Sequence, residues 1–239
     1  MTSRAMPSLA LLAGGLATRL HPLTKSLPKS LVEIAGEPFI AHQLRLLKRQ
    51  NIENIIICGG FGADQIQAYV GNGENFGVNV SYSLDGEFLL GTGGAIKKAL
   101  PLLGEHFFVM YGDSYLNADF KPIYNAFQRA KKSLALMTIY RNESGSAESN
   151  IIYRNGRIMD YSKQHLTPEM NYIDYGLGLF SALAFDAWKV IDIFDLSDVY
   201  QRLLIQDQLA GCEVHKRYYE IGSLQGIKET CDLFTEEYK

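Results

Sequence analysis

Cysteine, long apolar runs and blocks of like charge are all scarce in this sequence of 239 residues. The 3 cysteines, Cys58, Cys212 and Cys231, lie far apart and form no Cys-x-x-Cys pair. This spacing indicates neither a disulfide framework nor a zinc site, and we expect a reducing compartment, the cytoplasm. The apolar runs are strand-sized, far below the roughly 18 residues of a membrane span, and residues 1–8 contain no signal-peptide core. We expect no membrane association.

The charge balance argues against a nucleic-acid partner. The chain carries 23 Lys and Arg against 26 Asp and Glu, a net charge of −3, and has no long basic run. What is present, 47% hydrophobic and 21% charged residues, is typical of a globular protein. At about 150 residues per domain, the length fits one large α/β domain or two small ones. The sequence leaves the oligomeric state open, a homo-oligomer included.

Apolar, strand-sized runs alternate with helical patterns through the first half of the chain. This alternation predicts an α/β fold, a Rossmann-like doubly wound and mainly parallel sheet with helices on both faces. From residue 149 the pattern becomes strand-rich, with Asn155-Gly156 as a tight hairpin turn. We expect a single domain, with a nucleotide-binding lobe at about 8–148, a strand-rich lid at about 149–182, and closing elements after it. The predicted strands are Leu9–Ala13, Ile55–Cys58, Phe107–Tyr111 and Leu134–Tyr140, and the predicted late helices are Ala184–Phe194 and Ser197–Leu209.

One helix can be assigned in more detail from its pattern. Phe39, Ile40, Leu44 and Leu47 share one face of an amphipathic segment. The pattern places His42, Gln43, Arg45 and Lys48 on the opposite, polar face.

The junction after the first strand carries the strongest chemical signal. There, Ala13-Gly14-Gly15 leads into Arg19, and Pro28 precedes Lys29 ten residues later. Glycines let the backbone approach a ligand, free N–H groups after a strand point at anions, and a guanidinium can bind two phosphate oxygens at once. The spacing fits neither the dinucleotide pattern nor the P-loop pattern. The pattern predicts a triphosphate cradle; a plain glycine turn and a solvated lysine remain as alternatives.

The stretch LLAGGLATRLHPLTKSLPKSLVEIAGEPFI, residues 11–40, resembles the signature of the sugar-1-phosphate nucleotidyltransferases. The family pattern is G-G-x-G-T-R-L, then P-L-T, then P-K, and finally K-P or R-P. Here Ala17 stands at the third glycine, and Glu37, instead of Lys or Arg, precedes Pro38. The resemblance implies attack by a sugar 1-phosphate on the α-phosphorus of a nucleoside triphosphate, with Arg19 and Lys29 as catalytic residues. It also implies that the nucleotide is held by Leu12, Ala13, Gly14 and Gly15.

Further segments follow in the family's order. Leu90–Ala95, reading L-G-T-G-G-A, implies that Gly91 and Thr92 lie against the nucleotide. Gly112-Asp113 resembles the family's G-D motif and makes Asp113 a metal ligand, while Glu220 stands where the family more often has Asp. The resemblance implies Mg²⁺ as the cofactor, and because magnesium prefers one or two protein carboxylates plus phosphates and water, a second acid is expected from elsewhere in the chain. A turn-capping Asp and a surface Glu are the alternatives.

In the strand-rich lid, the resemblance implies residues that bind the sugar and its phosphate. Lys163 aligns with the family lysine that grips the sugar phosphate, although Ser162 and Gln164 depart from its usual neighbours. The segment Tyr172–Gly176 resembles the one that lines the sugar pocket, so Tyr175 and Gly176 become candidates, together with Asn150. A tyrosine-rich strand is also typical of half-buried packing.

Base and sugar are separate questions. Asp85 precedes the L-G-T segment, where the family reads the base, and a carboxylate suits the N–H donors of guanine better than the carbonyls of uracil. GTP is therefore slightly favoured. The short chain, with its G-T-G-G-A and G-D-S segments, also resembles the compact heptose-1-phosphate guanylyltransferases and N-acetylmuramate-1-phosphate uridylyltransferases. This resemblance implies a heptose 1-phosphate, with a uridylyltransferase acting on an amino sugar or muramate 1-phosphate as the alternative. A phosphocholine cytidylyltransferase, a non-catalytic nucleotide sensor and a dinucleotide oxidoreductase are further rivals. The resemblance runs from Leu9 to about Phe234, so no appended β-helix or second enzyme domain is expected.

Overall fold

The computed structural model describes residues 6–15, 27–143, 145 and 148–237. The predicted catalytic residue Arg19 lies outside these residues. No helix in the described ranges is long and apolar enough to cross a membrane.

Strands and helices alternate along most of the chain. The strands are β1 (Ser8–Leu12), β2 (Glu33–Ile34), β3 (Glu37–Pro38), β4 (Asn54–Gly59), β5 (Asn79–Leu84), β6 (His106–Tyr111), β7 (Ser114–Leu116), β8 (Ala135–Arg141), β9 (Ile151–Arg154), β10 (Arg157–Tyr161), β11 (Tyr172–Ser181), β12 (Leu209–Val214) and β13 (Tyr218–Glu220). The helices are α1 (Phe39–Arg49), α2 (Ala63–Val70), α3 (Gly91–Leu103), α4 (Phe120–Arg129), α5 (Leu196–Ile205) and α6 (Leu224–Glu237).

The main sheet of the described chain runs β5-β4-β1-β6-β11-β8-β12, and the β9-β10 hairpin joins it at the start of β11. In this order β11 alone is antiparallel to its neighbours β6 and β8, and the other pairs are parallel. The predicted mainly parallel sheet is confirmed. Because parallel strands end at the same edge, β1, β4 and β6 deliver their carboxyl ends to one place.

Two apolar layers cover the sheet, one on each face. Successive side chains of a strand point to opposite faces of the sheet and so belong to different layers. Leu9 and Leu11 lie in the layer packed by α1, α2 and α4, whereas Ala10 lies in the layer packed by α3 and α5. A smaller third cluster holds α6 through Phe234 against Tyr115 and Ile221, beside the two-stranded β7-β13 sheet. This architecture is the predicted doubly wound one; the assignment of lobe and lid to separate ranges stays a prediction.

Four predicted strands are confirmed to within one or two residues, and so is the hairpin, in which Asn155 and Gly156 take φ values of 51° and 77° between β9 and β10. The predicted helix Ala184–Phe194 is wrong. A short 3-10 helix ends at Phe185, and the backbone of Phe194 instead bonds to Leu90 and Gly93 of another element. The helix predicted over Ser197–Leu209 ends at Ile205, because Asp207 takes a left-handed φ of 56° and Leu209 already belongs to β12.

Candidate active site

A cavity of about 320 Å³ opens at the carboxyl ends of β1 and β6, beside the start of α3. Its lining includes every residue predicted to bind the nucleotide, namely Leu12, Ala13, Gly14, Gly15, Asp85, Gly91 and Thr92. Lys29 and Asp113 line the same cavity. The fold therefore brings together segments that lie up to about a hundred residues apart in sequence.

The glycines around this cavity allow backbone segments to approach one another. A Cβ at Gly112 would lie only 2.6 Å from the carbonyl oxygen of Leu12, to which the Gly112 N–H donates at 2.9 Å. A Cβ at Gly14 would lie 2.9 Å from the nitrogen of Gly60. No atom of the described residues lies within 4 Å of a Cβ built at Gly15. Close backbone packing at Gly112 and Gly14 suits a loop that holds a ligand by its N–H groups.

Lys29 and Asp113 form an ion pair at the mouth of the cavity. The Lys29 Nζ donates to Asp113 Oδ2 at 2.7 Å, and the two side chains are 19% and 41% exposed. Ser114 Oγ donates to the other carboxylate oxygen at 3.2 Å. The predicted phosphate cation and the predicted metal ligand are thus direct neighbours.

Gln43 is a positioning residue that the sequence pattern missed. Its amide donates to the carbonyls of Tyr111 and Ser114, at 3.1 and 2.8 Å, and so holds both sides of the Gly112-Asp113 turn. The prediction that His42 and Gln43 lie on a polar outer face is wrong, since their exposures are 3% and 0%. Both are buried because each meets a backbone partner, His42 through the carbonyl of Ile34 at 2.8 Å.

Glu220 lies beside Asp113 through strand pairing. β13 pairs antiparallel with β7 so that Glu220 faces Ser114, and the N–H of Ile221 donates to the carbonyl of Asp113 at 2.9 Å. The Glu220 carboxylate accepts from the Gly222 N–H and, at 2.6 Å, from Ser223 Oγ. A Cβ built at Gly222 would touch this carboxylate and lie 3.0 Å from Lys29 Nζ. Lys29, Asp113 and Glu220 therefore form one compact charged cluster.

This cluster fits a divalent cation that also binds phosphate. Nowhere in the described ranges do three or more side chains of the usual metal-binding types form a complete site. Mg²⁺, however, needs only one or two protein carboxylates when phosphates and water complete its shell. The pairing of β7 with β13 brings Glu220 next to the Gly112-Asp113 turn, so Asp113, which lines the cavity, and Glu220 are two candidate carboxylates.

Asp85 places an unsatisfied carboxylate oxygen at the cavity wall. Its Oδ2 accepts from the N–H of Leu90 at 3.2 Å, whereas the buried Oδ1 finds no hydrogen-bond partner in the described part of the chain. Burial raises the pKa of Asp85 above its usual value, against the opposing effects of the Leu90 N–H and Lys98. A buried acceptor without a partner is costly, so Oδ1 is available for a ligand N–H.

The glycines at the start of α3 allow close packing against Phe194, independently of any contact with a nucleotide. A Cβ at Gly91, whose φ is +70°, would lie 2.6 Å from the carbonyl oxygen of Phe194, and one at Gly93 would collide with the Phe194 ring. Thr92 Oγ1 accepts from the N–H of Leu196 at 2.8 Å. This end of α3 is therefore packed against the segment that leads into α5.

The residues predicted for the sugar end occupy different environments. Lys163 pairs with Asp195 at 3.2 Å, and Asn150 has a buried Oδ1 with no partner in the described ranges. A Cβ built at Gly176, whose φ is +95°, would lie 3.4 Å from the Tyr111 ring. The Tyr175 ring is 1% exposed and packs near Tyr140 and Tyr218. As substrate contacts, these residues stay predictions.

Asp174 is a second residue that the sequence reasoning did not single out. It stands in a strand that is otherwise mostly apolar, where the β11-β8 register shifts between Asp174 and Gly178. One carboxylate oxygen accepts from the Gly176 N–H at 2.9 Å. Burial raises the pKa of Asp174 to about 6, against the lowering effects of that N–H and of Lys163. A lone acid inside an apolar strand was the available signal.

We expect Asp174→Asn to stabilise the protein at pH 8 by about 1–3 kcal/mol, because it removes a charge that burial disfavours. The native state binds this proton up to about pH 6, whereas an unfolded Asp loses it near pH 4. The wild type therefore loses stability as pH rises from about 4 to about 6, so the variant's advantage is largest above pH 6 and shrinks as pH falls from 6 towards 4. Urea unfolding at several pH values measures this, with the exposed Asp186→Asn as control. A variant that is less stable at pH 8 contradicts the assignment.

Comparison with known proteins finds a family and several relatives that are similar to this chain in sequence or in fold. Residues 10–152 match the family described as Nucleotidyl transferase. The chain is 28% identical to an N-acetylmuramate alpha-1-phosphate uridylyltransferase of Neisseria meningitidis, over 92% of this chain and 94% of the relative. It is 27% identical to a D-glycero-alpha-D-manno-heptose 1-phosphate guanylyltransferase of Aneurinibacillus thermoaerophilus, over 89% and 91%. Its fold resembles the crystal structure of HddC from Yersinia pseudotuberculosis with a TM-score of 0.79 at 23% identity, covering 96% and 100% of the two chains.

Proposed function

The chain belongs to the nucleotidyl transferase family, and we propose that it transfers a nucleotidyl group from a nucleoside triphosphate to a sugar 1-phosphate. A phosphate oxygen of the sugar 1-phosphate forms a bond to the α-phosphorus, the bond from the α-phosphorus to the bridging oxygen breaks, and pyrophosphate leaves. The products are a nucleotide sugar and pyrophosphate. The observation that carries the proposal is the single cavity that joins the Gly14-Gly15 loop, Asp85, Lys29 and Asp113.

The predicted site residues have distinct tasks in this reaction. The Gly14-Gly15 loop approaches the triphosphate through its backbone, and Lys29 stabilises charge on the phosphates together with Arg19. Phosphoryl chemistry needs mainly such positioning and charge stabilisation. Lys163 binds the phosphate of the sugar, with Asn150 and Gly176 near the sugar.

Asp113 and Glu220 would hold a divalent cation, which we take to be Mg²⁺. When bound, the ion would neutralise charge on the phosphates. Gln43 holds the Asp113 turn by its two backbone contacts and so fixes one of the carboxylates. The Ser223 hydroxyl and the Gly222 N–H orient the other.

The base and the sugar are the finer part of the proposal. The Oδ1 of Asp85, which has no hydrogen-bond partner among the described residues, favours a base that presents N–H donors, and guanine presents both N1–H and an amino group. We therefore propose GTP, and the similarity to the heptose 1-phosphate guanylyltransferase leads us to propose a heptose 1-phosphate. Transfer of a uridylyl group to an amino sugar or muramate 1-phosphate is the alternative. The free thiols of Cys58, Cys212 and Cys231 agree with a reducing compartment, and we propose the cytoplasm.

We expect GTP with Mg²⁺ to raise the melting temperature more than UTP, CTP, dTTP or ATP does. A ligand at 100 times its Kd adds about 2.7 kcal/mol, or roughly 5–10 °C for a protein of this size. In Asp85→Asn the advantage of GTP over the other nucleotides is expected to disappear, because the amide keeps its oxygen on the Leu90 N–H and presents an N–H donor, not an acceptor, to the base. Asp64→Asn, which changes an exposed acid on α2, is the control. Stabilisation by UTP alone would overturn the preference for guanine.

Pyrophosphate release with a panel of sugar 1-phosphates tests the activity itself. Each nucleotide that binds is paired with each sugar 1-phosphate, and the pyrophosphate is quantified. Release that requires both substrates supports the transferase. Tight nucleotide binding without release under any pairing supports the non-catalytic sensor instead.

A further inference from the structure

Residues 194–196 connect the nucleotide side of the molecule to its sugar side. The N–H of Phe194 donates to the carbonyl of Leu90 at 3.2 Å, and its own carbonyl accepts from the N–H of Gly93 at 3.0 Å. The N–H of Leu196 donates to Thr92 Oγ1 at 2.8 Å. The start of α3, which lines the cavity, is thus bonded to the start of α5.

Asp195 lies in the middle of this connection and is bonded to three residues, Ser197, Asp198 and Lys163. Its Oδ1 accepts from the N–H of Ser197 at 2.9 Å, and its own N–H donates to Asp198 Oδ2 at 3.0 Å, which completes a capping box on α5. The same Oδ1 accepts from Lys163 Nζ at 3.2 Å. One carboxylate therefore caps a helix and holds a lysine from the β10 side of the sheet.

The position of this carboxylate is fixed, whereas the lysine is flexible. Helix capping and the bonds to α3 restrain Asp195, but Lys163 has a four-carbon side chain that is 43% exposed. Burial would raise the pKa of Asp195, yet hydrogen bonds from Ser197 and the charge of Lys163 outweigh it and lower that pKa. At neutral pH the carboxylate is ionised and can orient the ammonium group.

We propose that Asp195 is a positioning residue, which holds the Lys163 ammonium at the sugar-phosphate end of the site from a point bonded to the nucleotide-binding end of α3. The inference rests on the proposed function, in which Lys163 binds the phosphate of the sugar 1-phosphate. Preorganising a flexible cation removes part of the entropy that binding otherwise costs. The competing explanation is a helix cap with an incidental surface ion pair, which contributes little.

Kinetics of two matched variants separate these explanations. Asn is itself a good helix cap, so Asp195→Asn keeps the cap and removes the ion pair. Asp198→Asn removes a charge from the same helix end without touching Lys163.

We expect Asp195→Asn to raise KM for the sugar 1-phosphate about tenfold with kcat changed far less, which is the signature of lost ground-state binding. KM for the nucleotide stays unchanged in both variants, and Asp195→Glu recovers part of the loss. Equal KM changes in Asp195→Asn and Asp198→Asn, or a lower KM in Asp195→Asn, overturn the proposal.

A second measurement needs no activity. Trace acetylation of lysine amines, read by mass spectrometry, reports how readily the Lys163 amine reacts in the full-length protein. An ammonium group held in an ion pair is less accessible to the reagent, so Lys163 should react faster in Asp195→Asn and at the wild-type rate in Asp198→Asn. Equal reactivity in all three proteins overturns the proposal even if the transferase activity is real. Absence of pyrophosphate release in the wild type instead counts against the proposed function, and the labelling result then decides the Lys163–Asp195 contact by itself.

Discussion

Replacing Asp113 by Asn is expected to lower pyrophosphate release about 10³-fold or more, because a neutral amide cannot supply the charge that holds a cation against phosphates. The carboxylate stands at the carboxyl end of a parallel strand, with Gly112 packed on the backbone of β1 and Gln43 bonded on both sides of the turn. These contacts involve backbone atoms, which the substitution leaves in place. Steady-state kinetics of pyrophosphate release with saturating nucleotide measure the effect.

The fold of Asp113→Asn should remain intact. The side chain is 41% exposed, and its ion pair with Lys29 is partly solvated, so its loss costs no more than about 1 kcal/mol of unfolding free energy. Asp119→Asn is the matched control, since this acid is 73% exposed and its side chain makes no capping bond to α4. A rate for Asp113→Asn close to that of the control would remove Asp113 from the metal site.

The parts of the fold that the sequence predicts are those with a local cause. Short apolar runs that end in glycine identify β1 and β4, and Asn155-Gly156 identifies its hairpin through backbone conformation alone. The segment 184–194 has apolar residues that also fit a helix, but its backbone bonds to α3 about a hundred residues earlier. A partner at that distance leaves no mark on the local pattern.

The candidate site shows the same division. Residues of the glycine loop, and Asp113 itself, stand out because motif and chemistry coincide, and the cavity collects them. Gln43 does not stand out, since its partners are 68 and 71 residues away and an amide on a helix normally faces water. Asp195 is equally inconspicuous, because the capping pattern around it gives no hint of Lys163, 32 residues away. Positioning residues are defined by tertiary contacts, and a single sequence does not contain those.

Replacing Lys29 by Met is expected to lower kcat about 10²-fold and, at the same time, to strengthen cation binding. Its ammonium group lies 2.7 Å from Asp113 Oδ2, so the lysine and a cation bound at Asp113 would compete for one carboxylate. Without Lys29, neither Asp113 nor Glu220 pairs with a lysine or arginine of the described residues, which favours binding of a divalent ion. Titration with Mn²⁺, followed by electron paramagnetic resonance, measures the affinity without reference to turnover.

The direction of the affinity change separates two roles for this lysine. If Lys29 serves only to hold Asp113 in place, its loss weakens both turnover and Mn²⁺ binding. If it acts on the phosphates, as proposed, turnover falls while Mn²⁺ binding tightens. Lys121→Met, an exposed lysine on α4 near Tyr124, should change neither quantity.

In the double variant Lys29→Met with Asp113→Asn, the rate should fall little below that of Asp113→Asn alone, because residues that act as a unit give non-additive losses. Fully additive losses would mean that the two groups serve separate steps, and the ion pair seen between them would then have no part in the reaction.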